Sequence, residues 1–458
     1  MTTPTVVLNI VGLDAGLLRD HAPRLRAIGA LGSSRTIAPV FPALTCSAQS
    51  SMVTGLPPAA HGIVGNGWYD RESHEIRFWK QSNRLVQGEK VWETARRRDP
   101  AFTCCTMFWW YNMYASSDWA VTPRPMYRAD GRKLPDIWTH PASLRDELQG
   151  ELGTFPLFRF WGPAADLVST RWIVDASRIV QHKHEPTLHL IYLPHLDYAL
   201  QQHGPESPEA AHAVREIDAL AGSFAEDCIE RGHRVLIVSE YGIGPVDDAA
   251  APNIALREAG LLAVRNELGR EYLDTGASRA FAVADHQIAH VYVHDHDDLA
   301  ETRRVLESLD GVDRVLGHDE LVAAAMHHER AGDLVLISDP RRWFTWDFWL
   351  DPSKAPDYAR TVDIHRKPGY DPRELFLDPT LTAPKLRIAA GIMKKKLGFR
   401  SMLNVIPLDT TLVQGSHGRT DLGPDRLPIL LSSQAMDSLP AQVPCTDVRD
   451  AMLNLVFE

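Results

Sequence analysis

The sequence predicts an α/β fold: a mostly parallel central sheet with helices on both faces, and a smaller α+β insertion or cap. Three observations carry this. Apolar runs of strand length alternate with segments of helical spacing. Acidic and polar residues follow directly on several of those runs, at the sheet edge where open α/β folds bind ligands. Residues 251–345 change texture, to shorter pieces. In order, Val-Val-Leu-Asn-Ile-Val-Gly-Leu over 6–13 reads as a buried strand ending at Asp14, and 17–28 has helical spacing leading to Gly29. A helix follows over 89–98 and a strand over 102–108. Residues 188–193 read as a strand. Ser207-Pro208 caps and opens a long helix ending near Gly232. Residues 235–239 form another buried strand. Within 251–345 lie strands at 289–293, 312–316 and 333–338 and helices near 298–309 and 319–328, and 428–432 returns to strand. Alternation of this kind builds a parallel sheet. The expected division is a catalytic core of 1–250 with 346–458, and an insertion or cap over 251–345.

Composition narrows the function. The chain has 458 residues, 44% apolar and 23% charged, with a net charge of −11. That is ordinary for a globular enzyme. The acidic balance is spread along the chain and argues against a nucleic-acid duplex as partner, which needs a basic face. No apolar run approaches 18 residues, so no membrane contact is expected, and the start Met1-Thr-Thr-Pro-Thr carries no basic leader. Five cysteines, an odd number without zinc-type spacing, read as free thiols and point to a cytoplasmic location. Oligomeric state is left open. No Gly-Lys pair exists for a Walker A loop, and His184-Glu185 with His189 is spaced wrongly for a zincin helix that Pro186 would break.

The informative stretch runs from Val6 to Asn66. After Asp14 come Phe41-Pro-Ala-Leu-Thr-Cys-Ser-Ala-Gln-Ser-Ser-Met-Val-Thr-Gly55 and His61-Gly-Ile-Val-Gly-Asn66. This resembles the N-terminal signature of the type I phosphodiesterase/nucleotide pyrophosphatase branch of the alkaline phosphatase superfamily, with its alkaline-phosphatase-like sandwich. The resemblance implies that Asp14 binds metal, that Thr45, eight residues before Val53, is the nucleophile and a metal ligand, and that Asn66 holds the phosphoryl group. The chemistry is coherent: a metal ion lowers the pKa of a threonine hydroxyl and neutralises phosphoryl oxygens, and a second ion stabilises the leaving oxygen. Thr45 also reads as a helix N-cap.

Further on, Leu193-Pro-His-Leu-Asp197 precedes Gly204-Pro205. In the family this loop is Asp-x-x-x-His, so Asp197 matches while Gln201 takes the histidine's place. Either His203 binds instead or Gln201 supplies an amide oxygen. Ser239-Glu240-Tyr241-Gly242 stands where relatives carry Ser-Asp-His-Gly. Glu240 can replace the aspartate, but Tyr241 is a poor imidazole, its phenol having a pKa near 10. Loss of nitrogen donors shifts preference from Zn²⁺, the family's expected ion, toward Mn²⁺, Mg²⁺ or Ca²⁺. A replacement histidine is sought in Asp285-His286 or at His365. Val413-Gln-Gly-Ser-His417-Gly418 is similar to phosphonoacetate hydrolases, which implies that His417 shares a metal with Asp197.

Phe108-Trp-Trp-Tyr-Asn-Met-Tyr114 is aromatic-dense. Trp110, Tyr111 and Arg124 are candidates to stack a base or sugar, against a plain core layer. Arg366-Lys367 is a candidate for an anionic leaving group, and Lys394–Lys396 reads as a solvated helix face. The leading expectation is a hydrolase with two divalent metal ions. It cleaves a phosphodiester or pyrophosphate bond in a small phosphorylated, nucleotide- or sugar-linked substrate, through a phospho-threonine intermediate. The alternatives are phosphonate or phosphomonoester chemistry on the same scaffold, or a degraded relative that only binds a phosphorylated ligand or partner.

Overall fold

The computed structural model describes residues 2–397, 399 and 402–458, with the side chains of Lys395 and Lys396 left outside the description. The central sheet begins with β1 (Thr5–Ile10), β2 (Ser33–Ala38), β3 (Cys104–Met107), β4 (Trp119–Pro123), β5 (Ile137–His140), β6 (Leu188–Leu193) and β7 (Arg234–Val238). A second sheet holds β8 (Ala280–Asp285), β9 (Ile288–Val293), β10 (Val312–Leu316) and β11 (Leu334–Ser338). The chain then returns to the first sheet with β12 (Ile429–Ser432) and β13 (Gln442–Pro444). The nine-stranded order is β13-β2-β12-β7-β1-β6-β3-β4-β5. β7, β1, β6, β3 and β4 run parallel, and the antiparallel pairs are β7–β12, β2–β12 and β4–β5. The mostly parallel α/β sheet is as the sequence predicts. The second sheet, in the order β8-β9-β11-β10, is wholly antiparallel.

Strand periodicity assigns the two faces of the large sheet. Val6, Leu8 and Ile10 of β1 pack with α1 (Ala15–His21), α2 (Pro23–Leu31) and two later helices. Val7, between them, faces α3 (Thr45–Thr54) and the C-terminal helix over 448–457. The later pair are α4 (His195–His203) and α5 (Pro208–Glu230). The helix expected over 17–28 is two helices. Pro23 cannot donate a backbone hydrogen bond, so the chain breaks at Ala22 and restarts with proline in the first turn. Gly29 therefore lies inside α2, and the strands at 33–38, 119–123, 137–140, 280–285 and 442–444 are additional to those the apolar runs mark.

The second sheet carries its own core around Phe281, Val291, Leu334 and Leu336. That core also takes in Tyr69, Phe78, Trp346, Phe348 and Tyr370 from either side of 251–345. Lys367, a candidate for anion binding, is buried in an ion cluster with Asp371 and Glu374, each 2.8 Å away, while Arg373 pairs with Asp371 and Asp347. It is occupied there. Among the described residues no helix is long and apolar enough to cross a membrane.

Candidate active site

Thr45 is the first residue of α3, with Leu44 at the cap position, so the hydroxyl is free of the N-cap role. Every residue of α3 is buried, which fixes Thr45 rigidly at a helix N-terminus, where backbone N–H groups favour an anion. The Thr45 Oγ1 lies 2.9 Å from the Tyr241 hydroxyl, and that hydroxyl donates to Asp197 Oδ1 at 3.4 Å. Both Tyr241 and Asp197 sit just beyond C-terminal strand ends, those of β7 and β6, which are neighbours of β1.

Glu240, the residue before Tyr241, is fully buried. Its Oε1 accepts from Asn9 Nδ2 at 2.5 Å and from Gln49 Nε2 at 2.6 Å; its Oε2 has no partner. Asn9 points to the α3 side because it lies one residue out of phase with Leu8 and Ile10. Gln49 also accepts from the Trp110 backbone N–H at 2.7 Å. Asn9 lies within an apolar run and Gln49 within the Phe41–Gly55 stretch, and neither position is singled out there, which is why sequence reading passes them over.

The second sheet reaches into this site. β8 and β9 join through His286-Gln287, a two-residue turn whose first residue has φ of 60°. The turn is anchored by the Gln287 N–H donating to His417 O at 2.9 Å. It delivers Asp285, which accepts from the Asn66 backbone N–H at 2.8 Å and from Asn66 Nδ2 at 3.1 Å. Asn66 Oδ1 in turn accepts from the Cys46 N–H. One Nδ2 hydrogen of Asn66 is left for a ligand. His286 Nδ1 is 2.8 Å from Asp285 Oδ1, and its buried Nε2 has no partner.

Four rings form a column: Tyr241 on His417 at 3.7 Å, His417 on His286 at 3.8 Å, and His286 on Tyr370 at 3.7 Å. His417 Nδ1 donates to Ala43 O at 2.8 Å, which leaves Nε2 facing Asp197 Oδ1 at 3.8 Å. Gln201 is buried beside them, but its Nε2 donates to Asp197 Oδ2 and its oxygen accepts from the Tyr370 hydroxyl, both at 2.8 Å. The amide nitrogen, not the oxygen, faces Asp197, contrary to the expected amide-oxygen ligand.

Burial without a cation governs the electrostatics. It raises Asp197 to about 7, Glu240 to about 8 and Asp285 to about 6. Among the described residues no Lys or Arg pairs with any of the three. Burial likewise holds His286 and His417 neutral, well below the ordinary histidine range.

Several candidates lie elsewhere. Asp14 is the N-cap of α1: its Oδ1 accepts from the Leu17 N–H at 2.8 Å and its Oδ2 pairs with Arg426 at 3.1 Å. Gly12, with φ of 76°, is the residue of that loop which lies against Asp197 and Leu200; a Cβ there would sit 3.0 Å from Leu200 Cδ1. His203 is exposed at the end of α4, because a helical offset of two from Gln201 turns it away. His365 is exposed, its ring edge toward Tyr127. Arg124 is exposed and donates to Gln81. Tyr111 is buried in the core around Cys46 and Ile63, whereas Trp110 is half-buried and meets Trp79 at 4.8 Å with the two rings tilted by 40°. Trp161, also half-buried, leans on Tyr198 and Tyr370, so rings border the site on this side.

Two divalent ions do not fit this donor set. Among the described residues no three His, Cys, Asp or Glu side chains converge as one ion requires. Asp197 with His417 is one incomplete pair. Glu240, whose Oε2 is orphaned, beside Thr45 is another. Asp14 is committed to Arg426, and Gln201 and Tyr241 present a donor N–H and a phenol where imidazoles were needed.

The model of a family described as type I phosphodiesterase/nucleotide pyrophosphatase matches residues 5–371. An uncharacterized pyrophosphatase/phosphodiesterase of Schizosaccharomyces pombe is 24% identical over 255 residues, 53% of this chain and 45% of that protein. Ectonucleotide pyrophosphatase/phosphodiesterase family member 1 of Mus musculus is 24% identical over 252 residues, 52% of this chain and 24% of that protein. The matches thus span less than half the length of these relatives. Phosphonoacetate hydrolase from Sinorhizobium meliloti 1021, solved with phosphonoformate, superposes with a TM-score of 0.62 at 16% identity, covering 99% of this chain and 95% of that one. Murine ectonucleotide pyrophosphatase/phosphodiesterase 5 gives 0.57 at 14% identity, covering 99% and 94%. These neighbours share the alkaline-phosphatase-like fold.

Proposed function

This chain belongs to the type I phosphodiesterase/nucleotide pyrophosphatase family, and from that premise we propose that it cleaves a phosphodiester or pyrophosphate bond of a small phosphorylated substrate at Thr45. The observation that carries the proposal is the hydrogen-bonded line from Thr45 Oγ1 through the Tyr241 hydroxyl to Asp197. Thr45 Oγ1 attacks phosphorus; the Oγ1–P bond forms as the bond to the leaving oxygen breaks. The Thr45 proton moves to Tyr241, whose own proton passes to Asp197. The leaving oxygen takes a proton from solvent; in the second step water attacks phosphorus and gives its proton to solvent, the Oγ1–P bond breaks, and the relay returns the stored proton from Asp197 through Tyr241 to Thr45. The amides at the start of α3 and the free Nδ2 hydrogen of Asn66 face the charge on the non-bridging oxygens. Glu240, neutral below about pH 8, adds an O–H donor rather than a repelling charge. Trp110 lies on the side from which a nucleotide or sugar substituent would stack.

In this reading the insertion or cap at 251–345 contributes Asp285 and His286 to a site otherwise built by the core of 1–250 with 346–458. A cytoplasmic setting is supported by five thiols that are all buried and unpaired. The test is hydrolysis of bis-p-nitrophenyl phosphate by the parent and by Thr45→Ala, with acid-quench trapping of a phosphoryl group on the chain. We expect a loss of at least about 100-fold and no trapped label in the variant. An unchanged rate in Thr45→Ala sinks the proposal.

A second reading rests on the incomplete donor pairs: a relative that holds a phosphorylated ligand without turning it over. Calorimetry with inorganic phosphate, giving binding in a protein without hydrolysis, would favour it.

A further inference from the structure

The helix α6 (Pro384–Lys396) is not used by anything described so far. It is solvent-exposed along most of its length, and among its described side chains and glycine only Gly391 is buried. At 3.6 residues per turn, Leu386, Met393 and Leu397 fall on one outward line, while Ala390 and Gly391 lie toward a cavity that Arg387, Lys394 and Asp378 also line. Their exposure is high for apolar side chains: Leu386 73%, Met393 58% and Leu397 68%, with Phe399 at 65% just beyond. Ile392 and Met402 are exposed too. Lys385 flanks the line on one side and Arg387 and Lys394 on the other, all exposed. Residues 384–402 contain six Lys or Arg and no Asp or Glu, in a chain of net charge −11.

We propose that α6 is an interfacial helix that seats this protein on an anionic phospholipid surface, its Leu386–Met393–Leu397 line entering the acyl boundary and its flanking basic residues meeting lipid phosphates. The physics selects this occupant. A water-facing row of Leu, Met and Leu is costly on a soluble protein unless something covers it. Basic side chains beside such a row can lay their stems along the apolar boundary while their charges stay in the headgroup layer. A second copy of the chain would set like charges against each other, and a nucleic acid would leave the apolar row uncovered. Surface seating needs no spanning helix. It replaces the expectation that the protein has no membrane contact and that this helix is a purely solvated face.

The test is co-sedimentation of the full chain with vesicles of phosphatidylcholine alone, and of phosphatidylcholine with about a third phosphatidylserine. The parent is expected to bind the anionic vesicles at least about tenfold more tightly than the neutral ones, and less as salt is added. Two variants separate the contributions: Met393→Asp with Leu397→Asp for insertion, and Lys385→Glu with Arg387→Glu and Lys394→Glu for charge. Each is expected to weaken binding at least about tenfold. Unchanged thermal melting shows that these exposed positions leave the fold intact. Equal affinity for both vesicle types, or variants that bind as the parent does, overturns the proposal. So does a dimer in sedimentation equilibrium that Met393→Asp with Leu397→Asp dissolves, which would make the row an interface between copies.

Discussion

Tyr241 places a phenol oxygen within 2.9 Å of the Thr45 hydroxyl, with its ring laid flat on His417. The hydroxyl and the ring do different jobs, so they can be separated. Tyr241→Phe keeps the ring stack and removes the proton path. It is expected to lower kcat for bis-p-nitrophenyl phosphate by about 100-fold, the usual scale of a lost proton-transfer partner, with KM little changed. A variant with parental kcat in steady-state assays would mean that Thr45 loses its proton another way. His286, at φ of 60°, is held in a conformation that costs a non-glycine residue roughly 1–3 kcal/mol. The turn tolerates that cost because the Phe344 N–H donates to His286 O at 2.7 Å, while Asp285 holds the ring.

At the scale of elements, Asp14 is a helix device. It caps α1 and neutralises Arg426, tying the start of α1 to the segment that leads into β12. Burial raises its carboxyl to about 6, with the Leu17 N–H and Arg426 acting against that rise. Asp14→Ala is expected to lower stability by about 1–2 kcal/mol in urea unfolding, the range for a lost N-cap, and to leave phosphodiester turnover within a few-fold of the parent. A selective collapse of turnover with stability intact would place Asp14 in the chemistry after all. The β8–β9 hairpin is the complementary case: an element from the second sheet whose tip supplies site residues to the first. Its second strand follows the expected pattern at 289–293, its first is one the apolar runs do not mark, and its Asp-His pair stands out in the sequence. Where the tip lands depends on contacts with Asn66 and His417, which are far away along the chain.

For the molecule as a whole, the buried acids set the pH response. In the unfolded chain Asp and Glu titrate near 4; folded, Asp197 moves to about 7 and Glu240 to about 8. The folded state thus binds protons that the unfolded chain has already released. Stability is fully present below the unfolded value and is lost as pH rises through the folded values. The melting temperature should therefore fall between about pH 7.5 and about pH 9, where Glu240 releases its proton and unfolded histidines are already neutral. Glu240→Gln, which keeps the Asn9 and Gln49 contacts in reach of an amide, should flatten that slope. A melting temperature that does not fall over this window would show that the acids are compensated in solution, as a bound cation would do.

The sequence by itself determined the parallel core, because the apolar runs at 6–13, 188–193 and 235–239 have strand length and, in an alternating α/β pattern, read as strands buried on both faces. Its motifs, through the resemblance they carry, also marked Thr45, Asn66, Asp197, Glu240 and His417 as site candidates. Only the tertiary structure decided what each candidate touches. It brought Asn9 and Gln49 to Glu240, turned the Gln201 amide nitrogen toward Asp197, and set Tyr241 between Thr45 and Asp197. It also sent Asp14 to Arg426 and left Gly12 beside Asp197. The physical reason is range. Periodicity and capping are read within a few residues. Hydrogen bonds between buried side chains are set by which strands become neighbours and how the second sheet docks, over separations of a hundred residues or more.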